Sequence, residues 1–299
     1  MTQAKNYNLD SVALLVEFNA SVWTAKKLDK TKTAEVVDGA GAKNKGAARV
    51  NKSLMAGRPE LENISALVTQ VRSYVYDNTL PWSNNGQRLL ITARLPAFDA
   101  KMQGYIEEFN ALVAAFTSQY SSLITAQAMA LGNMFNRAEF PLTSEITKKF
   151  AMSCEYLPVP VAGDIRVDIS DQAQDELRAR LEHMASLRVE KAVADINEKL
   201  AAHMARMVDR LTTDVDPVTK EEKPRRFTET LVSGAMELCD LIADYNITGD
   251  PKLEHARRLL ESKLAGVTVE NLRDDPAKRD DVREAVKGIL DKFSFGSPA

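Results

Sequence analysis

One long amphipathic run constrains this chain more than anything else in it. From Pro96 to about Asn133, Phe98, Met102, Tyr105, Ile106, Phe109, Leu112, Val113, Phe116, Tyr120, Leu123 and Ile124 recur at spacings of three and four. That spacing puts them on one broad face of an α-helix. A helix of nearly forty residues spans about 60 Å at 1.5 Å per residue, more than a compact domain covers, so it asks for a long partner. Residues 170–213 supply a second run, with Leu177, Leu181, Met184, Val189, Val193, Ile196, Leu200, Met204, Met207 and Leu211 as its stripe and Ser170 or Asp171 as its cap. The two are expected to pack as a long antiparallel hairpin at a shallow crossing angle. The expected fold class is mostly α, an elongated helical bundle built on that hairpin, with a small β element and a C-terminal helical subdomain.

The flanking segments fill in this plan. Leu9, Val12, Leu15, Val16, Asn19, Val22 and Trp23 predict an N-terminal amphipathic helix, with Asp10 and Ser11 as caps. Between Lys26 and Arg58 there are nine basic and three acidic residues, four glycines and almost no large apolar side chain, which reads as a mobile basic arm. Pro59 and Glu60 open a helix whose stripe is Leu61, Ile64, Leu67, Val68, Val71 and Val75. Asn84-Asn85-Gly86 signals a tight turn, and Arg88 to Thr92 a short strand or a helix entry. Thr143 to Phe150 reads as a short helix. Alternation of Val159, Val161, Ile165, Val167 and Ile169 about Ala162-Gly163-Asp164 predicts a β-hairpin, with Pro158 and Pro160 on an edge strand. Residues 214–226 read as a polar linker. Phe227 to Tyr245, Pro251 to Leu264 and Pro276 to Phe293 read as three C-terminal helices, two of them opened by Asp-Pro pairs. The expected domains are 1–58, an N-terminal helix and arm; 59–213, the long-helix bundle; the linker 214–226; and 227–299, the C-terminal subdomain.

Composition excludes several classes. With 299 residues, 44% hydrophobic and 27% charged, the chain is neither disordered nor collagen-like. A net charge of −3 argues against a surface that coats nucleic acid as a whole. Two cysteines, Cys154 and Cys239, build no disulfide framework, and a cytoplasmic location is expected. No run approaches the roughly 18 apolar residues of a membrane span. Gly41 to Gly46 has the glycine spacing of a phosphate-binding loop, but Ala47 and Ala48 stand where Lys and Ser or Thr belong. His183 and His203, twenty residues apart on one helix, lie about 30 Å from each other, and neither HExxH nor CxxC occurs, so no metal or other cofactor is expected. No nucleophile elbow appears, and both cysteines read as buried structural thiols. The methionines read as core fillers on the apolar stripes. No catalytic residue is assigned, and the chain is expected not to be an enzyme. Lys43, Lys45, Arg49 and Lys52 of the basic arm are the candidate phosphate contacts. No aromatic residue lies between Thr24 and Arg58, so base stacking by the arm is not expected.

The middle of the chain resembles a known family. LPWSNNGQRLL at 80–90, EEFNALVAAFTSQY at 107–120, LGNMFNRAEFP at 131–141, KKFAMSCEYLPVP at 148–160 and GDIRVDI at 163–169 are similar to the bacterial and phage domain-of-unknown-function family 3150, over roughly residues 65–200. The matching positions are Trp82, Gly86, Arg88, Gly132, Pro141, Pro158 and Pro160, with Phe135 and Phe140 between them. The family carries no established chemistry. Its members are typical of phages and integrative elements and neighbour a MoxR-type AAA+ ATPase. The resemblance therefore implies a non-enzymatic adaptor or scaffold acting by protein–protein contact, with such an ATPase or by self-association through its long helices. A DNA-associated accessory protein using the arm is the alternative, and an inhibitor of host defence is a third reading that rests only on the phage resemblance.

Overall fold

A computed structural model describes residues 12–160, 171–215, 222–226, 228–246 and 251–292. The fold is mostly α. The elements, in chain order, are β1 (Ala13–Ser21), β2 (Lys26–Leu28), α1 (Lys30–Gly39), β3 (Asn51–Ser53), α2 (Pro59–Asn78), β4 (Leu80–Pro81), β5 (Arg88–Ile91), α3 (Leu95–Leu131), α4 (Thr143–Ile146), β6 (Ala151–Pro158), α5 (Asp171–Arg210), β7 (Thr213–Val215), β8 (Glu222–Pro224), α6 (Thr230–Tyr245), α7 (Pro251–Leu264), α8 (Val269–Asp274) and α9 (Pro276–Lys292). Four strands form one sheet in the order β4-β5-β1-β6. The chain divides into two compact units. One comprises residues up to Val16, Asn78–Leu95 and everything from Tyr156 on, and the other Glu17–Asp77 and Pro96–Glu155. This division replaces the boundaries expected from composition.

Within the first unit, α5 packs against α6, α9 and β4, while α7 packs against α6 and α9. Their shared core runs from Val189 through Ala192, Ile196, Leu200, Met204 and Met207 of α5 to Leu238, Ile242, Leu260 and Val286. The C-terminal helices therefore complete the core of α5 and do not form a separate subdomain. The expected linker contains a paired hairpin, β7 with β8, in the register Thr213↔Pro224 and Val215↔Glu222. Arg225 ties it down by bonding to Asp214 at 3.0 Å and to Asp209. Asp275 caps α9 by accepting a bond from the Lys278 amide at 3.0 Å, as the Asp-Pro pair predicts. The short helix α8, capped by Thr268, is absent from the sequence expectation.

In the second unit, the stripe of α3 holds Phe98, Met102, Tyr105, Phe109, Val113, Phe116 and Tyr120, all buried. Elements of the same unit cover it. Tyr74 of α2 stacks on Phe98 at 5.5 Å and meets Tyr105 edge-on at 5.6 Å, while Trp23 and Phe150 close on Phe116 at 6.4 and 5.5 Å. The stripe thus needs no second long helix, and α5 belongs to the other unit. The α2 stripe is the one the spacing predicts.

Two expectations fail near the N-terminus. Residues 13–21 form a strand and not a helix, paired antiparallel with β5 in the register Ala13↔Ile91 to Val16↔Arg88. A short apolar run such as ALLVEF fits both periods, and here pairing with β5 decides the outcome. The segment expected to be a structureless arm carries α1, opened by Asp29, whose Oδ1 accepts from the Lys32 amide at 2.9 Å. It also carries β3, paired with β2 as Lys26↔Ser53 to Leu28↔Asn51. With Val37 as its one buried residue, α1 has no apolar stripe to betray it. The expected Ala162-Gly163-Asp164 hairpin and the caps at residues 10, 11 and 170 lie outside the described residues. Pro158 ends β6, an edge strand, as its missing amide hydrogen dictates. Residues 151–157 extend that strand further toward the N-terminus than the alternation of valines predicts.

Candidate functional site

The positions on which the resemblance rests have structural roles. Trp82 is buried in the core of the first unit, with the Arg188 guanidinium over its ring at 5.4 Å. Gly86 has φ +90°, which the tight turn after Asn85 demands and side-chain-bearing residues resist. Arg88 is 8% exposed, and its guanidinium donates to Thr79 Oγ1 at 2.6 Å and to the Thr79 carbonyl at 2.7 Å. In the second unit, Gly132 has φ +51° and the Pro141 carbonyl accepts the Tyr120 hydroxyl at 3.1 Å. Burial pushes that hydroxyl up to about 12. Trp82, Gly86 and Arg88 belong to one unit and Gly132 and Pro141 to the other, so they are not assembled into a single site within either. Pro158 and Pro160 are exposed.

Of the four candidate phosphate contacts, Lys43, Lys45 and Arg49 are exposed between α1 and β3 and have no ion pair among the described residues. Lys52 departs from the expectation. Its ammonium sits 2.7 Å from Glu139 and donates to the Met134 carbonyl at 2.9 Å, with 9% of the side chain exposed. It is committed to holding the fold and not to meeting a phosphate. The glycine loop makes no cradle either, because the Gly46 amide donates to its own neighbour Asn44 Oδ1 at 2.9 Å.

Cys239 is buried, and burial pushes its thiol up to about 11, whereas Cys154 is half-buried. No group of three or more metal-capable side chains occurs among the described residues. No described helix is long and apolar enough to cross a membrane. Met204 and Met207 are core residues, but Met129, Met134 and Met184 are exposed and correct the reading of the methionines as fillers.

Two further features are hidden in the sequence. The first half of α5 has no fully buried side chain among its described residues: Leu177 is half-buried, and Leu181, Met184 and Leu187 are 36, 42 and 50% exposed. The stripe of α5 begins to bury only at Val189. The other feature is a cleft of about 310 Å³ in the first unit, where the last turns of α5 meet the start of α6. His203, Arg206 and Arg210, at helical spacing on α5, face Arg226, Thr228 and Thr230 across it. His203 Nε2 lies 3.3 Å from the Leu231 carbonyl, and burial chiefly, then Arg206, outweighs that contact and lowers its pKa. The signal is present as H-x-x-R-x-x-x-R followed by PRRFT, but half of it falls in a stretch that reads as linker.

No protein-family model matches the chain, and comparison with curated proteins and with solved structures finds no match.

Proposed function

We propose that the protein is an adaptor or scaffold that works by protein–protein contact, its docking element being the N-terminal half of α5. One observation carries this reading: over about two turns of a regular helix Leu181, Met184 and Leu187 stay 36, 42 and 50% exposed, where a helix serving only its own fold would place polar residues. Leu177, Leu181 and Met184 recur at four and three, the spacing by which one helix seats against another. Asp175, Glu176, Arg178, Arg180 and Glu182 flank them with both signs of charge. The occupant this suits is an amphipathic helix of a partner protein with mixed charge beside its apolar seam. The resemblance stated for residues 65–200 points the same way, toward an AAA+ ATPase as the partner.

The test replaces Leu181 and Met184 together by Asp. A photo-reactive residue at position 180 should cross-link the parent protein to a stoichiometric partner, and the double variant should lose that partner while keeping its helical circular dichroism. Retention of the partner by the variant, or no cross-link in the parent, refutes the reading. Concentration-dependent sedimentation of the purified chain, abolished by the same variant, identifies the occupant as a second copy instead.

A DNA-associated role is the second reading, favoured by the exposure of Lys43, Lys45 and Arg49 without acidic partners among the described residues. Neutralising those three should flatten any salt dependence of duplex binding. Absence of binding by the parent at low salt removes this reading.

A further inference from the structure

We propose that the cleft between the end of α5 and the start of α6 binds a small phosphate-bearing anion. Three guanidinium groups, from Arg206, Arg210 and Arg226, line one concave space of about 310 Å³. Several arginines of the same unit are answered by acids: Arg257 holds Glu254 and Glu261, Arg225 holds Asp209 and Asp214, and Arg94 holds Asp244. In the cleft they are not. Arg206 and Arg226 have no ion pair among the described residues, and Arg210 reaches only Asp209, at 4.0 Å, which Arg225 already engages. Like charges gathered in one hollow repel, and an anion placed among them relieves that repulsion.

The Thr228 and Thr230 hydroxyls share one hydrogen bond at 2.7 Å, which leaves one hydroxyl hydrogen as a neutral donor beside the guanidinium groups. Guanidinium forks with a hydroxyl beside them are donors that recognise phosphoryl oxygens. Among the described lining residues Leu231 is the apolar one. The ligand that these guanidinium groups suit is a compact phosphate monoester or diphosphate, held by its charge. The acidic neighbours are Glu229, just before α6, Glu237 on α6 and Asp209 on α5. A dianion in the cleft opposes the desolvation of His203, so binding is accompanied by proton uptake at that imidazole.

The experiment is calorimetric and NMR titration of the full-length protein with inorganic phosphate and with pyrophosphate, ionic strength being held constant with chloride. Saturable one-to-one binding is expected, tighter for pyrophosphate, with the His203 Cε1 proton titrating at higher pH once the anion is bound. Arg206→Gln with Arg226→Gln should weaken binding by about a hundredfold, roughly tenfold for each guanidinium removed from the anion. These side chains are exposed, so the circular dichroism of the variant should match that of the parent. Neutralising Lys43, Lys45 and Arg49 should leave phosphate binding unchanged. No saturable binding of either anion at millimolar concentration overturns the proposal. So does binding that the double Arg variant retains. Duplex DNA bound in the cleft when neither small anion binds also overturns it, in favour of a nucleic-acid backbone.

Discussion

Tyr245, the last residue of α6, is fully buried and carries three backbone contacts on one hydroxyl. The hydroxyl donates to the Asn78 carbonyl at 2.8 Å and, in a shared fashion, to the Leu89 carbonyl at 3.3 Å, and it accepts from the Ile91 amide at 3.4 Å. Tyr245→Phe removes that oxygen and leaves the ring, so no large cavity opens. The loss amounts to one donated and one accepted bond, about 1 kcal/mol each net, plus up to about 2 kcal/mol for the buried Ile91 amide left without an acceptor. The expected destabilisation is therefore about 2 to 4 kcal/mol. At about 2 to 4 °C per kcal/mol for units of this size, the transition should fall by several degrees. The two tryptophans make the assay specific, since Trp82 lies in the core of the unit that holds Tyr245 and Trp23 packs on Phe116 in the other. Urea unfolding in a Trp23→Phe background reads the Trp82 unit, and a Trp82→Phe background reads the Trp23 unit. A loss below about 0.5 kcal/mol in the Trp82 transition would show that the hydroxyl does not bridge α6 to the sheet.

Lys52→Met should destabilise the fold by about 1 to 3 kcal/mol, by stranding Glu139, while Lys43→Met stays within about 0.5 kcal/mol, as urea melts of the two will tell. At pH 8, a chromogenic disulfide reagent should label Cys154 well before Cys239, whose thiol titrates at about 11; equal rates would contradict the burial of Cys239. Alkali should weaken the fold. Tyr120 and Tyr245 both titrate above the ordinary value of 10.0, so the folded state keeps protons that the unfolded chain releases. Their contribution is complete below pH 10 and is lost as pH rises through the folded-state values, and Tyr245→Phe should remove part of that slope in pH-dependent melts. Gly86→Ala should cost about 1 kcal/mol or more, because φ +90° is open to glycine alone at little cost; an unchanged melting temperature would exclude strain at that turn.

The helices with strong stripes are legible because their burial repeats the spacing of their apolar residues. The limits of α2, α3 and α7 agree with the sequence expectation to within a few residues. Where local pattern is ambiguous, tertiary pairing decides. ALLVEF reads as a helix alone and as a strand beside Arg88–Ile91. Polar α1 carries its evidence in a single cap, Asp29, and composition conceals it. Exposure is illegible for a different reason. Leu181 and Val189 occupy the same predicted stripe, and only the path of α6 and α9 shows which of them is covered. The arginine cleft needs two segments more than fifteen residues apart to be brought face to face, which no local motif records. Lys52 and Lys43 look alike in sequence, and Glu139, far along the chain, separates them.

The route of the backbone has a practical outcome. It passes from one unit to the other after Val16, Asp77, Leu95 and Glu155, so no single scission yields either one intact. A protease cut between Gly132 and Pro141 leaves two pieces that each contain parts of both units. Such pieces should co-elute from a sizing column and separate only in denaturant. Trimming both termini to residues 17–155 keeps every residue of the second unit with 78–95 of the first still inside it, whereas the first unit is obtained whole only by rejoining ends.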